Sequence, residues 1–132
     1  MDQLTADAKQ RLGPLGQVGW LSQQPPGFQS AVARLGRWRE FKPGEVIYFY
    51  GDEPDGLYGL AEGVLQLSFP RVGEEEGVVH RAEPGFWIGE AAILAGQTRF
   101  VTLVAATAVR VLFLPKVELQ RMIDADPRHW RA

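Results

Sequence analysis

From Trp38 onward the chain is written in short runs of β-branched and aromatic residues, each closed by glycine or proline, at intervals of roughly ten residues. Residues 46–50, 57–61 and 64–69 are three such runs, and 78–83, 101–105 and 109–114 continue the series. Within 64–69, Leu65, Leu67 and Phe69 alternate with Gln66 and Ser68, the pattern of an antiparallel strand with one face in a core. Fifteen glycines among 132 residues favour the same turn-rich architecture. The expected fold is mostly β: about eight short strands in a jelly-roll-like β-roll, or double-stranded β-helix. The runs 101–105 and 109–114 are expected to form a final strand pair. The three consecutive glutamates at 74–76 suit a solvated hairpin tip over 71–77.

Short helices are expected at both ends. Residues 1–27 are weakly patterned, because Gly13-Pro14-Leu15-Gly16 and Pro25-Pro26-Gly27 break any regular element. Residues 28–36 suit one helix, with Ala31, Val32 and Leu35 on one face and Gly36 as its stop. Pro115 opens another that carries Leu119, Met122 and Ile123 together. Asp126-Pro127 then joins an N-cap to a first-turn proline, yet only 128–132 follow, too few for a stable isolated helix. The organisation expected is an N-terminal extension (1–27), a β-roll (28–125) and the start of a truncated helix (126–132). A small protein ending in a frayed stub is the alternative.

Several function classes are disfavoured. A net charge of −2 and a pI near 5.7 give no basic footprint for nucleic acid. There is no cysteine, so disulfides, iron–sulfur clusters and thiol redox sensing fall away. No signal peptide is visible, and the longest apolar stretch, 100–109, is about half a membrane span, so a cytoplasmic protein without membrane contact is expected. His80 and His129, the only histidines, do not make a metal site, and His80 reads as a half-exposed strand residue. Nucleophile motifs and triphosphate-binding loops are absent. The chain is therefore expected not to be an enzyme, with no metal and no resident cofactor; a metal-dependent β-helix enzyme is the rival that bound metal would reveal.

The segment 88–99 carries the chemistry. Gly89 and Glu90 precede a short apolar stretch of helical character closed by Gly96, and Arg99 follows. A helix start offers unpaired N–H groups, those of Ala91 and its successors, to an anion. Gly89 permits close backbone approach, and the planar guanidinium of Arg99 suits phosphate or carboxylate. Glu90 is left to accept hydrogen bonds from ligand hydroxyls. A small molecule with one negative group and a sugar-like diol fits this set. The plain alternative is a structural Glu–Arg pair.

This segment resembles the phosphate-binding cassette of cyclic-nucleotide-binding domains, whose pattern is roughly Phe-Gly-Glu-Leu-Ala-Leu followed by Arg-Ala. The resemblance extends upstream through Phe41-Lys42-Pro43-Gly44-Glu45-Val46-Ile47 and Tyr50-Gly51-Asp52, and 57–67 looks like the family's next hairpin. The wording is most similar to Crp/Fnr-type transcription regulators. The resemblance implies that Glu90 holds a ribose 2′-hydroxyl and Arg99 a cyclic phosphate, with cyclic AMP or GMP as effector. It also implies a homodimer built on a helix beginning near Pro127, and DNA binding only through a domain absent from this chain. Phe100 stands where the family has Ala or Ser; its ring either fills the phosphate space or turns out over the base. Trp87 is core or pocket wall, and Thr98 or Thr102 supplies a replacement hydroxyl or is an ordinary strand residue. The function expected is effector sensing in a transcription regulator. The alternative is a β-roll scaffold or dimerisation domain that has lost its ligand.

Overall fold

A computed structural model describes residues 6–69, 79–89 and 96–125. Among the described residues, eight strands form two antiparallel four-stranded sheets. They are β1 (Arg37–Phe41), β2 (Val46–Tyr48), β3 (Gly56–Glu62), β4 (Leu65–Ser68), β5 (Val79–Ala82), β6 (Trp87–Ile88), β7 (Thr102–Ala105) and β8 (Val109–Pro115). The helices among the described residues are α1 (Ala6–Leu12), α2 (Pro26–Leu35) and α3 (Lys116–Ala125). One sheet runs β1-β8-β3-β6 and the other β2-β7-β4-β5. The mostly β roll expected from the strand series is the fold observed. The hairpin tip expected at 71–77 and the helix start at 126–132 lie outside the described residues.

Two pairings differ from expectation. β7 and β8 do not pair with each other, and β3 and β4 do not make a hairpin: each couple is split between the sheets. The corners that separate them grip one another. The Val64 carbonyl accepts the N–H of Ala106 at 3.0 Å, and the Val64 N–H donates to Thr107 Oγ1 at 3.0 Å. Chain that turns a corner cannot return on its predecessor, so β3 pairs with β8 and β4 with β7 across the roll.

Strand alternation then sorts the side chains. On β8, Val109, Val111 and Phe113 enter the roll, where they meet Tyr48, Tyr58, Leu65, Leu67 and Leu103. Leu112 and Leu114 face the other way, onto a helical layer with Leu12, Phe28, Val32 and Leu119. The breakers near the N-terminus shorten α1 and leave 3₁₀ turns at Gly13–Gly16 and Leu21–Gln23. Even so, Leu12, Leu15 and Leu21 are each 0% exposed. Burying a leucine of this kind contributes about 1.5–3 kcal/mol. Leu12, Leu15 and Leu21 are thus part of the core.

Trp87 belongs to the helix-facing side. Its ring meets Trp20 edge-on at 5.8 Å and packs on Gly59 across the β3–β6 pair, where an added Cβ would come within 2.5 Å of the indole. Its neighbour Ile88 faces the roll interior. Trp87 is core on this geometry and does not wall the interior.

Candidate functional site

Arg99 is the one charged side chain among the described residues that is nearly fully buried, at 2% exposure. It shares the inward parity of Val101, just before β7, and of Leu103 and Ala105 on β7, and so enters the roll. Main-chain bonds on both sides fix its position: its N–H donates to the Asp52 carbonyl and its carbonyl accepts from Gly51, each at 2.7 Å. A buried guanidinium needs acceptors for its charge and its N–H groups. Nη2 donates to Asp55 Oδ1 at 3.0 Å and to the Gly56 carbonyl at 2.7 Å, while Nη1 donates to the Gly89 carbonyl at 3.1 Å. The plane lies over the Tyr48 ring, 4.2 Å from its centroid. Nε has no acceptor among the described residues.

Gly89 lies against the arginine. Its φ is +118°, and a Cβ there would stand 2.7 Å from Nη1 of Arg99 and 2.8 Å from the Gly56 carbonyl. The missing side chain makes room for the arginine itself. Glu90 and Ala91 lie outside the described residues, so the convergence of Glu90 with Arg99 is not described. Phe100 has the opposite parity to Arg99 and is 47% exposed. Its ring does not fill the interior. Thr98 is exposed, and the Thr102 hydroxyl accepts the Tyr50 N–H at 3.0 Å, a tie between main chain and strand.

Sequence reading missed Asp55 and Tyr58. Asp55 stands just before β3, with its side chain 52% exposed on the rim of the buried arginine. The Tyr58 hydroxyl donates to Asp55 Oδ2 at 2.9 Å. Burial raises the pKa of that hydroxyl well above the ordinary tyrosine range, and the Asp55 charge and hydrogen bond add to it. Tyr58 is therefore a firm donor at neutral pH. The main-chain carbonyl of Asp55 also accepts the Lys116 N–H, the first of α3, at 2.8 Å. One residue thus touches both the buried cation and the start of the last helix. An acid three positions before a strand tyrosine was the available signal, but nothing local ties it to an arginine 44 positions away.

The geometry is that of a buried guanidinium held inside a β-roll, and the family model for the cyclic nucleotide-binding domain matches residues 38–126. The chain belongs to the cyclic nucleotide-binding domain family. It is 28% identical over 102 residues to a cyclic nucleotide-gated potassium channel of Mesorhizobium japonicum, covering 77% of this chain and 27% of that one. It is 28% identical over 106 residues to the HTH-type transcriptional regulator Cmr of Mycobacterium tuberculosis, covering 76% and 42%. The regulatory domain of Toxoplasma gondii PKA, solved with cAMP, superposes with a TM-score of 0.78 at 19% identity over 90% of this chain and 46% of that one. The chain spans 27% of the length of the first curated relatives it matches. Cyclic nucleotide-binding domains therefore occur here as parts of larger proteins with different outputs.

Two further observations bound the chemistry of this cyclic nucleotide-binding domain. No group of three or more metal-ligating side chains that could hold a metal ion is present among the described residues. Within the same residues, no helix is long and apolar enough to cross a membrane.

Proposed function

We propose that this domain senses a cyclic nucleotide, holding the cyclic phosphate with Arg99 and passing its occupancy to α3. The observation that carries the reading is the buried guanidinium whose Nε–H has no acceptor among the described residues. An anionic oxygen supplies that acceptor where water is excluded, and a charge-assisted bond there is stronger than one at the surface. Glu90 holds the ribose hydroxyls in this reading, and the N–H groups from Ala91 onward assist the phosphate. The anion competes with the Asp55 carboxylate for Arg99. Because Asp55 also bonds the first residue of α3, the competition reaches the helix that leaves the domain. Coupling of this kind requires the effector to bind one arrangement better than the other.

By resemblance to Crp/Fnr-type regulators, and with one such relative at 28% identity, the output is control of transcription through a dimer and a separate DNA-binding domain. No catalytic step is assigned to this chain. Calorimetry with cyclic AMP, cyclic GMP and simple carboxylates, on wild type and Arg99→Ala, tests the reading. Saturable heat from a cyclic nucleotide, lost in Arg99→Ala, is expected. Equal heats from both proteins remove Arg99 from its role. A second reading, a roll that has lost its effector, draws on the Asp55 carboxylate already occupying Arg99; silence with every ligand supports it.

A further inference from the structure

We infer that the turn from Phe49 to Asp52 docks a second copy of this chain, its exposed rings resting on Arg37 and Arg39 of that copy. The turn is built to be rigid. The Phe49 carbonyl accepts the Asp52 N–H at 3.1 Å, and the Phe49 N–H donates to Asp52 Oδ2 at 2.9 Å. Gly51 takes the positive φ, +88°, that a type II turn needs at its third residue. The Tyr50 N–H donates to Thr102 Oγ1 at 3.0 Å and the Gly51 N–H to the Arg99 carbonyl at 2.7 Å, which ties the turn to the strand region beside it. On this frame Phe49 and Tyr50 are 57% and 56% exposed, and Phe100, next to Arg99, is 47% exposed. At about 100 Å² each, the three rings offer about 300 Å² of apolar surface. Rings held on a fixed turn lose little freedom on docking, which suits them as anchors.

Charge selects the occupant. Asp52 and Glu53 are exposed beside the rings, so the turn repels an anionic surface and attracts cations. A guanidinium satisfies both features, because it stacks on an aromatic face and pairs with a carboxylate. This chain presents two of them in a matching place. β1 and β2 are each the outermost strand of a sheet, and the corner 42–45 joins them, so both edges open on one side of the roll. Arg37 begins β1 and the turn follows β2, each at the end away from that corner. Arg37 and Arg39 are exposed, and neither has an ion-pair partner among the described residues. Arg39 already stacks on the Phe113 ring at 3.9 Å. A two-fold axis between arginines and turn sets the rings of each copy on the cations of the other and closes the contact at two. Arginines on an edge strand discourage strand addition, so side chains make this contact. It uses neither the Arg99 side chain nor anything after Ala125, and stands apart from the effector reading.

Sedimentation equilibrium of the 132-residue chain without effector, over about 1 µM to 1 mM, tests this. Wild type is expected to associate reversibly and to stop at the dimer. Phe49→Ser and Tyr50→Ser should each weaken association by about tenfold or more, with the melting temperature of wild type, since both side chains stand in solvent. Glu53→Arg and Arg37→Glu should each weaken it alone. Their equimolar mixture should recover the wild-type dimer, because both symmetry-related contacts again join opposite charges. A wild type that stays monomeric overturns the proposal and leaves the turn to a different protein. A dimer that none of the four substitutions weakens overturns it as well, since its interface then lies elsewhere. A mixture no tighter than either charge variant overturns the pairing of the turn with Arg37.

Discussion

The Asp55 carboxylate lies 3.0 Å from Nη2 of Arg99, a contact between residues 44 positions apart that joins the β2–β3 connection to the segment entering β7. The arginine is buried and the aspartate half exposed, so the pair is neither a surface ornament nor a sealed ion pair. Its worth is the compensation it gives to a cation that has left water. Any anion bound at Arg99 shares that task, which makes Asp55 the residue whose removal most distinguishes the empty domain from the occupied one.

In Asp55→Ala the empty domain keeps a buried guanidinium without its carboxylate. We expect a loss of about 1 kcal/mol, modest because water reaches the Asp55 side. The rise in melting temperature on adding cyclic nucleotide should exceed that of wild type, since the ligand replaces the missing charge. A smaller rise would show that Asp55 positions Arg99 for the ligand instead.

Gly89→Ala puts a Cβ 2.7 Å from Nη1 at a φ of +118°. Strain at such a φ costs about 1–3 kcal/mol. Chemical denaturation should show that loss, and calorimetry should show weakened effector binding, because Arg99 must move to make room. Full affinity in the variant would mean that the guanidinium does not need this position.

Tyr58 gives a pH signature. Its folded pKa is raised above the ordinary value of 10.0, so the folded protein keeps the phenol proton where the unfolded chain releases it. The stabilisation is complete below about pH 10 and declines as pH rises beyond it. Unfolding curves taken across that range should show stability falling in wild type. In Tyr58→Phe this contribution disappears, with about 1 kcal/mol lost at neutral pH from the hydrogen bond to Asp55.

Leu12→Ala tests whether the N-terminal helix is integral to the domain. Leu12 is 0% exposed in the cluster with Phe28, Leu112 and Leu119. Truncating it should cost about 2–5 kcal/mol by equilibrium unfolding. A change below about 0.5 kcal/mol would mean that α1 is a surface attachment.

Strand positions were legible because period-two patterns and glycine stops are local signals. The Leu65–Leu67 alternation, for example, maps directly onto β4. Pairing was less so: the partner of β7 depends on how Val64 and Thr107 interlock, which no run of residues announces. Leu12, Leu15 and Leu21 escaped notice because Pro14 and Gly16 break the helical period without removing the leucines from the core. At the site, Arg99 and Gly89 stood out by type and spacing. Asp55 did not, since its importance exists only once the chain has brought 55 and 99 together. Phe100 has an exposed outward position that its identity alone could not convey.

The most direct test of the clasp is the Nε–H resonance of Arg99, assigned by its loss in Arg99→Lys and followed while cyclic AMP is added. The account predicts a large shift that tracks occupancy, as an anionic oxygen becomes the acceptor that Nε lacks among the described residues. A resonance that stays in place while cyclic AMP saturates the protein would contradict it.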